Sequence, residues 1–181
     1  MSPLTQPKKT ITLSHTTTLV LTAMFVVLVY VFTLIGFTLT AFPGTYVHLG
    51  NIPLFIAAIL FGRRVGMIAG GVGMALFDAT SAFALWAPFS LVVVGLMGYV
   101  IGLIAERHNR YPWYILAAVL AAVIKVVGYY IADGIIVGNW VAPVVSIPAN
   151  LLQVAVGAVV TLIILRPLNL AARKAFRQPT A

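Results

Sequence analysis

The chain has 181 residues, 62% of them apolar and 8% charged, with a mean hydropathy of +1.09. Soluble domains run at about 45–50% apolar and about 25% charged, so a water-soluble globule is excluded and an integral membrane protein is expected. The net charge of +8 sits between long apolar runs and not on a patch with interleaved aromatics, which argues against a nucleic-acid partner.

A membrane-crossing helix needs about 20 apolar residues. The first candidate runs from Thr18 to Thr38 and ends before Phe42-Pro43-Gly44. Lys8 and Lys9 precede it in the manner of a signal peptide, but the apolar run is too long and no Ala-x-Ala cleavage site follows, so a retained helix is expected. A second run begins at Asn51-Ile52-Pro53, with Asn51 as N-cap and proline in the first turn, and stops at Gly62-Arg63-Arg64. Ile52 to Phe61 spans only about 15 Å at the helical rise, which predicts a short or half-embedded helix. The third run, Val65 to about Leu85, carries Gly66-x-x-x-Gly70, a spacing that admits a close helix neighbour, and includes Asp78. The fourth runs from Pro88 to Ala105 and is closed by the polar stretch Glu106-Arg107-His108-Asn109-Arg110, expected as a loop. The fifth covers about Pro112 to Ala132 around Lys125, and the sixth about Ser146 to Leu165, ending at Arg166-Pro167.

The expected fold is therefore all-α, with six transmembrane helices over residues 17–166, a tail at 1–16 and a basic tail at 167–181. Six spans put Lys8, Lys9, Arg63, Arg64, Arg107, Arg110, Arg166, Arg173, Lys174 and Arg177 on one side and leave Lys125 inside the membrane. Because short cytoplasmic loops are enriched in Lys and Arg, both termini are expected in the cytoplasm. The net charge is then a signal of topology.

The other polar groups gather toward the opposite side. They are Tyr46, His48 and Asn51 near the first outer loop, Asp78 and Trp86 around the exit of the third helix, Asp133, Asn139 and Trp140 in the third outer loop, and Ser146, Asn150 and Gln153 opening the sixth helix. Such convergence predicts a pocket opening outward. A buried ionisable group such as Lys125 costs about 2.5–3.5 kcal/mol on insertion scales and is normally kept for a partner. Lys125, Tyr129 and Asp133 recur every fourth residue, so they share a helix side. Lys125 either meets a ligand or pairs internally with Asp78 or Asp133. Asn150 and Gln153, three apart, share a face, and their amides either read a heteroaromatic ring or bond another helix. His48 reads as a lid-loop ligand contact or a solvated residue, and Trp86 and Trp140 as stacking platforms or interfacial anchors. Asp78 is a ligand acceptor or a counter-charge for Lys125. Ser146 reads as an N-cap.

The absence of cysteine removes disulfides, thiolate metal sites and Cys nucleophiles. With so few histidines and acids, neither a metal nor an organic cofactor is expected, and enzymatic chemistry has little to work with.

The stretch His48-Leu49-Gly50-Asn51-Ile52-Pro53, then Phe61-Gly62-Arg63-Arg64-Val65-Gly66 and a glycine-rich helix reaching Asp78, resembles the substrate-binding S components of energy-coupling factor (ECF) transporters. Ser146-Ile147-Pro148-Ala149-Asn150-Leu151-Leu152-Gln153 is similar to their sixth-helix entry. The resemblance covers about residues 18 to 166. It implies a vitamin-binding membrane protein of a prokaryotic cell membrane that docks onto a transmembrane T component carrying two ATPase subunits. ATP hydrolysis would belong to those partners, in keeping with the lack of a phosphate-binding Gly-x-x-x-x-Gly-Lys-Ser/Thr loop here. An Ala-x-x-x-Ala docking pattern common in the family has its nearest counterpart in Ala23 and Val27, with valine replacing the second alanine, and Gly66 and Gly70 are further candidates for docking. Within the family the pattern is most similar to members for pyridoxine or hydroxymethylpyrimidine, with riboflavin next; thiamin, folate and pantothenate are alternatives. A small ion channel or carrier is a different class, for which the chain lacks a ring of acids.

Overall fold

The structure is a computed structural model that describes residues 13–38 and 46–176. Lys8, Lys9, Phe42-Pro43-Gly44, Thr45 and Arg177 lie outside the described residues. In chain order the elements are α1 (His15–Leu34), β1 (Gly36–Thr38), β2 (Tyr46–His48), α2 (Asn51–Phe61), α3 (Arg63–Ala79), α4 (Ala87–Arg107), α5 (Tyr111–Val137) and α6 (Ile147–Ala175). Short 3-10 turns at Ala84–Trp86 and Ala142–Ser146 lead into α4 and α6. Helices α1, α4, α5 and α6 are long and apolar enough to cross a membrane. At 11 and 17 residues, α2 and α3 are shorter, and only Gly62 separates them.

The chain is mostly helical as expected, but the helix expected to run to Thr38 is corrected by a small antiparallel sheet. Gly36 pairs with His48, Phe37 with Val47 and Thr38 with Tyr46. The apolar run that suggested helix up to Thr38 ends in an extended strand, because Ile35 leaves helical geometry at ψ 84° and Gly36 packs under the Tyr46 ring, where a Cβ has no room. The third helix ends at Ala79 and not near Leu85. Thr80 leaves the helix, with its backbone N–H bonded to Leu76 and Phe77 carbonyls.

Two further boundaries move. Glu106 and Arg107 belong to α4 and not to a loop. The Glu106 Oε1 accepts the Arg63 backbone N–H at 2.8 Å, and Oε2 lies 3.5 Å from the Arg63 guanidinium, so a carboxylate caps the free N–H groups that open α3. Gly62 makes that corner with a φ of 91°, and a side chain there would strike Glu106. At the other end of the chain, α6 continues through Pro167 to Ala175, so much of the expected basic tail is helical.

Glycine lets α3 and α4 cross at backbone distance. A Cβ on Gly66 would stand 2.6 Å from the Ala58 Cβ and 2.8 Å from the Gly98 carbonyl oxygen, and Gly70 is equally enclosed by Leu54 and Val94. The close neighbour expected from Gly66-x-x-x-Gly70 is therefore α4, with α2 on the other flank. This corrects the assignment of Gly66 and Gly70 to partner docking, since both are buried inside the chain's own bundle. Ala23 and Val27 differ: both face outward from α1, in an exposed apolar stripe with Val20, Met24 and Val31.

The main core gathers Leu54, Phe55 and Ala58 of α2, Met74 of α3, Val94, Met97 and Ile101 of α4, Ala117 and Ala121 of α5, and Val154 and Leu165 of α6. Contacts fix the two ends of the bundle. Arg63 meets Glu106, and Phe61 meets Phe176 edge-on with ring centroids 6.1 Å apart, so the corner before α3, the end of α4 and the end of α6 share one end. Tyr30 hydrogen-bonds Thr80 and Trp86 bonds Asp133, which places the hairpin, the α3–α4 turn and the α5–α6 connection at the other.

Candidate substrate-binding site

A cavity of about 150 Å³ opens at the end opposite the basic corner. Each contributing element arrives with a distinct chemistry. The hairpin supplies Tyr46 and His48, α3 supplies Met74, Phe77 and Asp78, and the 3-10 turn before α4 supplies Trp86, with Phe83 just ahead of it. Lys125, Tyr129 and Asp133 descend α5 along one side, as their four-residue spacing requires, and Ser146, Asn150 and Gln153 face them from the start of α6.

Aromatic rings form the upper wall. Tyr46 lies nearly parallel to Phe77, with centroids 5.7 Å apart and planes 9° apart. Phe83 stands 5.7 Å from Tyr46 and meets Trp86 edge-on at 6.0 Å. These rings give a flat ligand π surfaces to stack on.

The deeper wall is polar. Lys125 is 1% exposed, and its ammonium donates to Gln153 Oε1 at 2.7 Å. It also stands 5.7 Å from the centre of the Tyr129 ring, within cation–π range. The internal ion pair weighed for Lys125 is absent: among the described residues the ion pair within 4.0 Å is Arg63–Glu106. Gln153 passes the connection on, its Nε2 donating to the Tyr46 carbonyl at 2.9 Å. The Tyr129 hydroxyl is engaged with Ser90 Oγ at 2.7 Å. Asp78 is buried beside this group, with Ser90 and Lys125 as its electrostatic neighbours.

Asp133 sits inside α5 and not in a loop. Its Oδ1 accepts the Trp86 indole N–H at 2.6 Å, and its Oδ2 accepts the Ser146 hydroxyl at 3.0 Å. One carboxylate thus ties the α3–α4 turn, α5 and the entry to α6 together at the cavity mouth. Ser146 occupies the N-cap position of α6, but its side chain does not cap the helix: its hydroxyl is committed to Asp133 and to the Pro143 carbonyl.

His48 is buried, with Nδ1 accepting the Gly50 backbone N–H at 3.2 Å. The ring is therefore neutral with its proton on Nε2, and burial first, then the Lys125 charge, hold its pKa well below the usual histidine value.

Three sequence candidates lie away from the cavity. Asn51 is the first residue of α2, behind a Gly50 N-cap. Its side chain is buried against α6 at Gly157, and neither polar atom finds a hydrogen-bond partner among the described residues. Asn139 Oδ1 accepts the N–H groups of Val141 and Ala142, a local turn cap. Trp140 is 54% exposed and packs on Gly134 and Tyr130. Conversely, sequence reasoning left out Met74, Phe77 and Phe83, while Tyr46 and Ser146 belong to the polar groups expected to converge on the pocket. An apolar ring carries no chemical signal in a chain already rich in apolar residues.

Residues 13–170 match the family described as the ECF-type riboflavin transporter S component. Over 138 residues, 76% of each chain, this protein is 34% identical to the thiamine precursor transporter HmpT of Lactococcus lactis subsp. cremoris (strain MG1363). It is also 38% identical over 84 residues to an uncharacterized protein of Pyrococcus woesei, covering 56% of that relative. Among solved structures, the S component of a bacterial ECF transporter matches with a TM-score of 0.67 at 19% identity, covering 86% of this chain and 96% of that one. A multi-pass cell-membrane protein with a cavity at one end is the class the bundle defines. The chain belongs to the ECF-type riboflavin transporter S component family, and is thus a transport subunit for vitamin uptake and not an enzyme.

Proposed function

We propose that this S component captures a single-ring heteroaromatic vitamin precursor of the hydroxymethylpyrimidine or pyridoxine type from outside the cell. The observation that carries the reading is the cavity of about 150 Å³, with stacking rings above and both a donor, Lys125, and an acceptor, Asp78, below. Pockets for drug-sized ligands run from about 300 Å³ upward, so this space suits one substituted ring better than the fused rings of riboflavin. A ring nitrogen or phenolate oxygen can accept from Lys125 while an exocyclic amine or hydroxyl donates to Asp78. Asp78 also repels the carboxylate of a vitamin such as folate or pantothenate. The name of the Lactococcus relative, a thiamine precursor transporter, supports the same choice.

In this reading six helices cross the membrane, the basic end with both termini faces the cytoplasm by the positive-inside bias, and the cavity faces outward beneath the hairpin. The outward stripe of α1 around Ala23 and Val27 docks a T component, and two ATPase subunits on that partner drive release inward. A calorimetric panel of hydroxymethylpyrimidine, pyridoxine, thiamin, riboflavin, folate and pantothenate on the purified chain tests the substrate. One single-ring compound binding at stoichiometric concentration is expected; binding of riboflavin alone overturns the size argument.

A further inference from the structure

The chain has three acidic side chains against eleven Lys and Arg. Asp78 and Asp133 line the cavity at one end, and Glu106 at the other is held by Arg63. No acidic side chain is left for the other cations of the basic end. Their counter-charges come from outside the chain.

Some of these cations are set into exposed apolar faces. On α6, Ile163, Arg166, Leu170 and Arg173 follow one another at intervals of three and four residues, so they share a face, and all four are exposed. Among the described residues neither arginine has an ion pair. Arg173 donates from Nε to Asn169 Oδ1 at 3.2 Å, which leaves both terminal NH₂ groups to another acceptor. The start of α5 has the same pattern. Arg110 is its N-cap, and Trp113, Leu116, Leu120 and Val123 continue from it along one exposed face. The Trp113 ring is braced by His108, stacked 3.6 Å away with planes 7° apart. The two helices are neighbours at this level: Leu165 shares a core cluster with Tyr114 and Ala117, and the Arg173 charge acts on the Tyr114 hydroxyl.

We propose that the meeting of the α5 start and the α6 end is a binding site for an acidic phospholipid, with Arg110, Arg166 and Arg173 on the headgroup phosphate and the acyl chains along the exposed apolar faces. A guanidinium offers paired N–H donors that fit a phosphate, and basic residues at the edge of the hydrocarbon region attract anionic lipid. Trp113 stands between the charges and the apolar face, at the depth where indole rings settle. Arginines set into an apolar face match a molecule that is anionic at one end and apolar along its length. An acidic protein surface lacks that second property.

The chain has three tryptophans, so W86F/W140F leaves Trp113 as the reporter. In vesicles, its quenching by brominated phosphatidylglycerol and by brominated phosphatidylcholine gives the relative affinity of the two lipids beside it. Phosphatidylglycerol should bind roughly three- to tenfold more strongly, and R110Q/R166Q/R173Q should make the two lipids equal. R64Q lies on α3, which packs on α1, α2 and α4, and should leave the preference unchanged. A merely diffuse attraction to the basic end would weaken with any arginine removed. Equal affinity in the parent overturns the proposal, as does a preference that survives the triple substitution or falls as far in R64Q. Equal affinity together with failure of the triple variant to co-purify with a T component would assign these arginines to a protein surface instead. If W86F/W140F does not fold, native mass spectrometry of the unaltered chain from equimolar mixed micelles compares the two lipids retained. Run with and without the three substitutions, it decides by the same criteria. Both leaflets of the vesicles carry the same lipids, so the result is independent of the orientation of the chain and of the vitamin it binds.

Discussion

Lys125 shows how a single charge organises a site without an opposite charge bonded to it. Insertion of such a group into a membrane is costly, and here part of that cost is met by one neutral amide and one aromatic face. Replacing Lys125 by alanine should weaken binding of the cognate ring at least tenfold by calorimetry; unchanged affinity with a lower melting temperature would make its role structural. Asp133 has the complementary role, with both carboxylate oxygens occupied by Trp86 and Ser146. Hydrogen bonds to charged groups contribute about 1.5–3 kcal/mol, so Asp133→Ala should lower the melting temperature and shift the Trp86 emission as the indole loses its acceptor. His48 adds a dependence on pH. Its folded pKa is depressed, so below about pH 6.5 the unfolded chain takes up a proton that the folded chain refuses. Stability should then fall with pH by up to about 1.4 kcal/mol per unit. It should be level for this group above pH 6.5, and His48→Asn, which retains an acceptor for the Gly50 N–H, should flatten the acid limb of a melting curve.

At the scale of elements, the bundle depends on small residues where helices cross and on one carboxylate where they turn. Gly66→Ala places a methyl 2.6 Å from the Ala58 Cβ and 2.8 Å from a carbonyl of α4, contacts that rigid backbone cannot relieve. Overpacking of this kind costs about 1–3 kcal/mol, and a drop in melting temperature in detergent is the expected result. Gly138→Ala, where nothing lies within 4 Å of the new methyl, lacks that clash and carries only the strain of its φ of 69°, so it should melt higher than Gly66→Ala. The hairpin belongs to the same scale. Two strands of three residues would not persist alone in water, and this pair is anchored by Tyr46 to α1, α3 and α6 at once.

For the molecule as a whole, the separation of charge from cavity defines a direction. Arg63, Arg64, Arg107 and Arg110 cluster at one end, and the polar side chains that line the cavity converge at the other. Single cysteines at Asn139 and Asn109 in the cysteine-free chain should report this. In intact cells an impermeant maleimide should label N139C, and should reach N109C only after permeabilisation; the reverse pattern would invert the orientation. Reconstituted alone, the chain should bind its vitamin but not accumulate it in vesicles, and accumulation should require the T component, the ATPase subunits and ATP.

The sequence by itself determined the membrane class, the number and order of the helices, the short second helix and the end at which polar groups gather. These follow from hydropathy and charge spacing, which the bilayer reads residue by residue. It also placed Lys125, Tyr129 and Asp133 on one side of α5, since helical periodicity needs no partner. Only the tertiary structure decided which of these polar groups bond one another. It assigned Asp133 to a three-way tie, Gln153 to Tyr46 and Asn139 to its own turn, and it enclosed Gly66 and Gly70 within the bundle. It also brought Phe77 and Phe83 over the cavity beside Tyr46. Apart from the local Asn139 cap, such hydrogen bonds join residues 13 to 107 positions apart, and a hydrogen bond or a ring stack depends on where the packed helices bring two atoms, a property that no local pattern carries.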